Sequence, residues 1–214
     1  EKPEGAGENW EYFYYKNHFF DDIDLTDSSM LRTPVLHQKV MYYMEKVSSQ
    51  VPDSLCEAAE RVIELSRPND EIFRYFMIRL LNKYANSKVM GHDAVYVCIG
   101  EKYYCKEDGA TEAWWTDKDD LFRICDRVKA LKPTLIGKQA PQFVLRNTRD
   151  EFVALNKVIG SRFTMLFFYD PDCGHCKKET PKMIEALEKL EADGITITPL
   201  FISTEIEVEK WKDF

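Results

Sequence analysis

Apolar positions recur every three to four residues through the first 133 positions, and the period changes after Pro133. Thr33-Pro34 opens one such pattern, carried by Val35, Val40, Met41, Met44 and Val47; with proline in the first turn it predicts a helix ending near Ser49. Pro52-Asp53 opens the next, with Leu55, Ala58, Ala59, Val62, Ile63 and Leu65 on one stripe, closed by Arg67-Pro68. A longer helix begins near Asp70 and places Ile72, Phe73, Phe76, Met77, Leu80, Leu81 and Tyr84 on a packed face. Gly91 introduces a fourth, with Ala94, Val97, Cys98 and Glu101 a turn apart, running out at Lys106-Glu107-Asp108-Gly109. Thr116-x-x-Asp119 resembles a capping box ahead of Leu121, Phe122, Ile124, Cys125, Val128 and Leu131, and Lys132-Pro133 must end that helix. Residues 10–20, WEYFYYKNHFF, are dense in aromatics and are predicted to pack between helices, while the Gly/Glu-rich residues 1–8 are expected to be disordered. About six helices without an internal repeat predict an antiparallel bundle or array.

After Pro133, Ile136-Gly137-Lys138-Gln139-Ala140-Pro141 reads as a linker-like turn. Phe143-Val144-Leu145 and Phe152-Val153-Ala154 then flank residues 147–150 as a short hairpin. Residues 163–169 are apolar throughout and predict a strand buried on both faces. Met183, Ala186, Leu187 and Leu190 mark a helix stopped by Asp193-Gly194, and residues 195–202 form a second strand, completing a β-α-β unit. Ser203-Thr204 with Glu207 caps a last helix, still running at Phe214. The predicted organisation is α+β overall: a disordered 1–8, an all-α domain over 9–133 and an α/β domain over 134–214.

Composition narrows the function. At 44% hydrophobic and 13% aromatic, the 214 residues suffice for a core. The net charge is −8; there are 18 basic against 24 acidic residues before Thr134 and 11 against 13 from there on. No Lys/Arg cluster exceeds Lys177-Lys178, so a nucleic-acid partner is not expected. No apolar run is long enough to span a bilayer, and the first ten residues lack a secretory-signal pattern; membrane attachment is expected only through a removed N-terminal signal or lipid anchor. His18, His37 and His92 have no metal-ligand spacing, and no metal is expected. Trp114-Trp115 precedes a helix cap and is predicted to pack. Cys56, Cys98, Cys105 and Cys125 read as buried free thiols that behave as small apolar residues, although four cysteines could pair in three ways. Cys98 and Cys105 lie two turns apart, roughly 10 Å, too far to bridge within one straight helix.

The chemistry gathers in FFYDPDCGHCKKETPKM, where the apolar strand stops at Asp170-Pro171 and a helix opens on Cys173-Gly174-His175-Cys176. A thiol at a helix N-terminus meets unpaired N–H groups and the positive end of the helix dipole, and both favour the thiolate that attacks disulfides. Cys173 is therefore the candidate nucleophile, and Cys176, one turn on, the thiol that resolves a mixed disulfide. A zinc knuckle would need four ligands, and the only further donor nearby is His175 in the same turn. An inert staple is a poor use of a Cys-x-x-Cys placed after a buried strand.

With Gly137-x-x-Ala140-Pro141-x-Phe143-x-Leu145, the hairpin, the apolar strand and Cys-x-x-Cys in this order, residues 137–214 resemble the thioredoxin superfamily, and most closely its TlpA/ResA-type envelope thiol-disulfide oxidoreductases. That branch has a Cys-x-x-Cys-Lys-x-Glu-x-Pro pattern, matched by Cys176, Lys177, Glu179 and Pro181. The resemblance implies an enzyme needing no cofactor beyond a redox-active Cys173–Cys176 disulfide. Glu179 would be the acid near the pair, His175 would act beside the thiols, and Pro181 would bend the helix. Its partners would be disulfide-bearing proteins and a reductant, in the periplasm or cell envelope of a Gram-negative bacterium. The helical part resembles the domain found ahead of such modules in Gram-negative envelope proteins. Two features depart from the pattern. Asp172 stands where the family has Trp, and with Asp170 it would oppose a thiolate, whereas a protonated His175 and the helix terminus push the other way. The expected later strands and helix of the fold, with a cis-proline loop facing the disulfide, lie beyond Phe214. The sequence is therefore expected to be a truncated thioredoxin-like domain with little turnover of its own. The alternative is a non-catalytic module whose helical part recognises an envelope partner.

Overall fold

Two prolines start the first long helices, and the apolar stripes behind them decide which faces go inside. The computed structural model describes residues 3, 5, 7–160, 162–205 and 207–212. Part of the expected disordered terminus (1, 2, 4 and 6) and the chain end at Asp213 and Phe214 lie outside the described residues, as do Ser161 and Ile206. The chain forms two compact units, Glu1–Ala140 and Pro141–Phe214, and its class is α+β.

In the helical unit, α1 (Trp10–Asn17) is followed by α2 (Pro34–Tyr42), which runs on through a π-helical turn, Tyr43–Val47. Then come α3 (Pro52–Ser66), α4 (Asp70–Ala85), α5 (His92–Ile99) with its own π-helical turn Gly100–Tyr104, and α6 (Lys118–Leu131). Helix α4 shows how local and tertiary signals agree. Asn69 Oδ1 accepts the Glu71 and Ile72 N–H groups at 3.0 and 3.2 Å, capping the helix, and Asp70 and Glu71 sit against its positive end. All seven stripe residues of α4 are buried, together with Leu55, Ala58, Ala59, Val62 and Ile63 of α3. Leu135 packs against this core, so the turn at 134–140 goes with the helical unit.

Several expectations need correction here. The aromatic run does not pack as a whole: α1 buries no residue, Tyr12 to Tyr15 are exposed, and only Phe19 and Phe20 beyond it turn inward. The cap of α6 is Asp117, which accepts the Asp120 N–H at 2.8 Å, and only Val128 of its stripe is buried, with Phe122 left 70% exposed. Trp115 does pack on the core, whereas Trp114 is exposed and stacks on Phe73. The four cysteines are not free thiols but form disulfides Cys56–Cys98 and Cys105–Cys125, with Cα–Cα separations of 6.2 and 5.6 Å. The first ties α5 to α3, and the second ties the end of the following π turn to α6. Cys98 and Cys105 thus staple the two ends of one helical stretch to different neighbours.

The second unit starts with β1 (Val144–Arg146) and β2 (Phe152–Ala154), an antiparallel hairpin whose turn uses Asp150 at φ 63 and the Asn147 side chain. Next are a short α7 (Leu155–Val158), β3 (Phe163–Tyr169), α8 (Gly174–Ala192), β4 (Ile197–Ser203) and α9 (Val208–Lys212). Strands β3 and β4 pair in parallel with α8 as the crossover, in register Met165 to Pro199 and Tyr169 to Ser203. The expected burial of β3 on both faces is not observed: only Tyr169 is buried, while Phe163 and Phe168 are about half exposed. No further strand pairs with either among the described residues.

Candidate functional site

The carboxyl end of a parallel strand followed by a helix N-terminus brings backbone donors to one point, and here that point is Cys173. Strand β3 ends at Tyr169. The Asp170 carboxylate accepts the Asp172 N–H at 2.8 Å, and its carbonyl accepts the Cys173 N–H at 3.1 Å, forming the turn that aims the chain into α8. Cys173 is the N-cap in extended conformation, and its carbonyl accepts the Lys177 N–H at 3.2 Å. Gly174 is the first helical residue, and a Cβ there would meet open space. Cys173 and Cys176 are free thiols, both partly exposed.

The Cys173 thiol is shifted below the ordinary thiol range, chiefly because the Cys176 N–H points at it, with the Cys176 side chain and the His175 N–H adding to the effect. The Asp170 carboxylate opposes the shift. The cause is the expected one, orphan N–H groups of a helix start stabilising a thiolate. His175 is exposed on the first turn. Glu179 pairs with Lys182 at 2.8 Å, which holds its carboxyl below the usual range, with a smaller contribution from His175. Among the described residues no hydrogen bond joins Glu179 to either sulfur. Pro181 lies inside α8, where it removes the N–H that would reach Lys177, and Thr180 Oγ1 donates to the Cys176 carbonyl at 2.8 Å.

The back of the site is not legible in the sequence, where Ser203-Thr204 reads only as a helix cap. Thr204 donates from both its N–H and Oγ1 to the Tyr169 carbonyl, at 2.8 and 3.2 Å. Tyr169 in turn donates its hydroxyl to the Trp211 carbonyl at 3.3 Å, and Lys212 reaches Asp150 at 3.2 Å. These bonds fold α9 back onto the turn, where Lys210 Nζ lies 3.3 Å from Asp172 Oδ2. Nothing in sequence spacing links positions 172 and 210. Elsewhere, Cys56 Sγ, a Glu60 oxygen and Cys98 Sγ lie within 4.8 Å of one another, but the sulfurs are bonded together and offer no thiolate to a metal.

Residues 7–133 match the family described as a domain of unknown function (DUF5106), and residues 136–213 match the AhpC/TSA family. No curated protein matches the chain. Among solved structures the fold is similar to that of a thioredoxin-like protein from Bacteroides caccae ATCC 43185. The two are 16% identical and superpose with a TM-score of 0.67 over 100% of this chain and 76% of that one. At that identity the shared property is the fold.

Proposed function

For a chain that belongs to the DUF5106 family and carries a unit of the thioredoxin superfamily behind that domain, we propose a thiol-disulfide oxidoreductase of the TlpA/ResA type. The supporting observation is the free Cys173 thiol at the start of α8, with the Cys176 N–H and thiol directed at it. In the forward step the Cys173 thiolate attacks one sulfur of a substrate disulfide; that S–S bond breaks and the departing sulfur leaves as a thiolate that takes up a proton. Cys176 then gives up its proton, attacks the Cys173 sulfur and releases the second substrate thiol. The substrate gains two electrons and two protons, and the enzyme keeps a Cys173–Cys176 disulfide, which a separate dithiol reductant returns to thiols. His175, exposed beside both thiols, is the proposed proton carrier, and Glu179 supports it from one turn along. No other cofactor is invoked.

The two disulfides of the helical unit support an oxidising location, which we take to be the periplasm or cell envelope of a Gram-negative bacterium. Disulfide-bearing proteins are the proposed substrates. A second reading, a partner-binding module, is favoured by the exposed aromatics Tyr12, Phe13, Tyr14 and Tyr15 on α1. Trapping separates the two. Incubated with a disulfide-bearing peptide, Cys176→Ser is expected to accumulate a mixed disulfide at Cys173, and Cys173→Ser none. If Cys176→Ser traps nothing, the enzymatic reading falls and the binding module is left.

A further inference from the structure

Two carboxylates precede the nucleophile, and the structure treats them differently. Asp170 accepts the Asp172 N–H and has no ion pair among the described residues. Asp172 faces Lys210, whose Nζ lies 3.3 Å from Asp172 Oδ2, 3.3 Å from Glu207 Oε2 and 3.9 Å from Glu205 Oε2. We infer that Lys210 is a positioning residue for the dithiol: it neutralises Asp172, so that Asp170 is the one uncompensated carboxylate facing the Cys173 thiolate. The inference rests on the thiol-disulfide reading above and adds to it a group 37 positions away in the chain.

Geometry holds the lysine in place. Tyr169, the last residue of β3, bonds through its hydroxyl to the Trp211 carbonyl, so the strand end that delivers Asp172 also fixes the backbone beside Lys210. Lys212, two residues on, reaches Asp150. Among the described residues, Cys176 and His175 on α8 and Asp170 on the turn act on the nucleophile, with Asp172 on the same turn held by Lys210 of α9, which it shares with Glu205 and Glu207. Three carboxylates lean on this one ammonium. Removing it takes the ammonium away from Asp172, and the carboxylate one residue before Cys173 then disfavours the thiolate.

The test is the pH profile of Cys173 alkylation, read by peptide mass on the reduced full chain. At low ionic strength Lys210→Met is expected to move the profile to higher pH and to slow alkylation at neutral pH roughly two- to fivefold, the range of an exposed ion pair. The effect should fade at about 1 M salt, where screening acts over only a few ångströms. Lys210→Arg, which keeps the charge, should behave as wild type. In an Asp172→Asn background Lys210→Met should change little, because the charge it neutralises is gone. An unchanged profile in Lys210→Met, or an equal shift with and without Asp172, overturns the inference. A wild-type Cys173 that never links to Cys176 overturns the oxidoreductase reading instead, so the two failures are distinguishable.

Discussion

At Cys173, backbone and side chains pull ionisation in opposite directions. The N–H groups of Cys176 and His175 favour the thiolate, while Asp170, fixed by its own bond to the Asp172 N–H, disfavours it. The net effect lowers the Cys173 thiol, so its alkylation midpoint should fall below that of an ordinary free cysteine. The Cys173 thiolate fraction is then lost as pH drops through the lowered midpoint. Asp170→Asn should lower that midpoint further, because it removes the opposing charge and keeps a side-chain oxygen for the Asp172 N–H. A rise on Asp170→Asn would contradict this account of the turn. The Glu179 carboxylate, which the resemblance makes the acid near the pair, is engaged by Lys182.

Elements were legible where one signal decided them. Helix α4 reads from its stripe, although its Asn69 cap does not, and α8 reads from Cys173 to the Asp193-Gly194 stop. The pairing of the four outer cysteines was not legible, because it depends on which helices become neighbours. Nor was the exposure of α1 and of most of the α6 stripe, because periodicity shows that a face is apolar and not whether another element covers it. One interhelical contact carries a specific prediction. Gly100 lets the π turn after α5 approach α6 so closely that an added Cβ would collide with Val128 Cγ2. Gly100→Ala should therefore destabilise the helical unit by about 1–3 kcal/mol. Val128→Ala, which removes the obstructing methyl groups, should restore part of the loss in the double variant, as denaturant titration would show. Additive losses would contradict the proposed close approach.

For the whole molecule, part of the acidic balance among the described residues is carried by the ion pairs around the end of α3. Glu64, at the end of α3, is bonded by Arg67 and Tyr103, and its carboxyl is lowered to about 2, with the Arg67 guanidinium the main cause. Burial pushes Glu112 up, but bonds from Lys106 and Arg67 outweigh it and leave that carboxyl lowered too. Because both folded values lie below the unfolded one, near 4.5, their stabilisation is present above that pH and is lost as pH falls through the folded values, about 2 in the case of Glu64. Thermal unfolding should show this loss, and Glu64→Gln should flatten it; an identical acid profile in the variant would exclude the network as its source. The central claim, that Cys173 and Cys176 form a reversible redox pair, is tested most directly by equilibrating the full chain in graded glutathione buffers and reading each thiol by alkylation and peptide mass. The account predicts one two-electron transition in which Cys173 and Cys176 become protected together. Two thiols that stay alkylatable at every glutathione ratio, or that change independently, would contradict it.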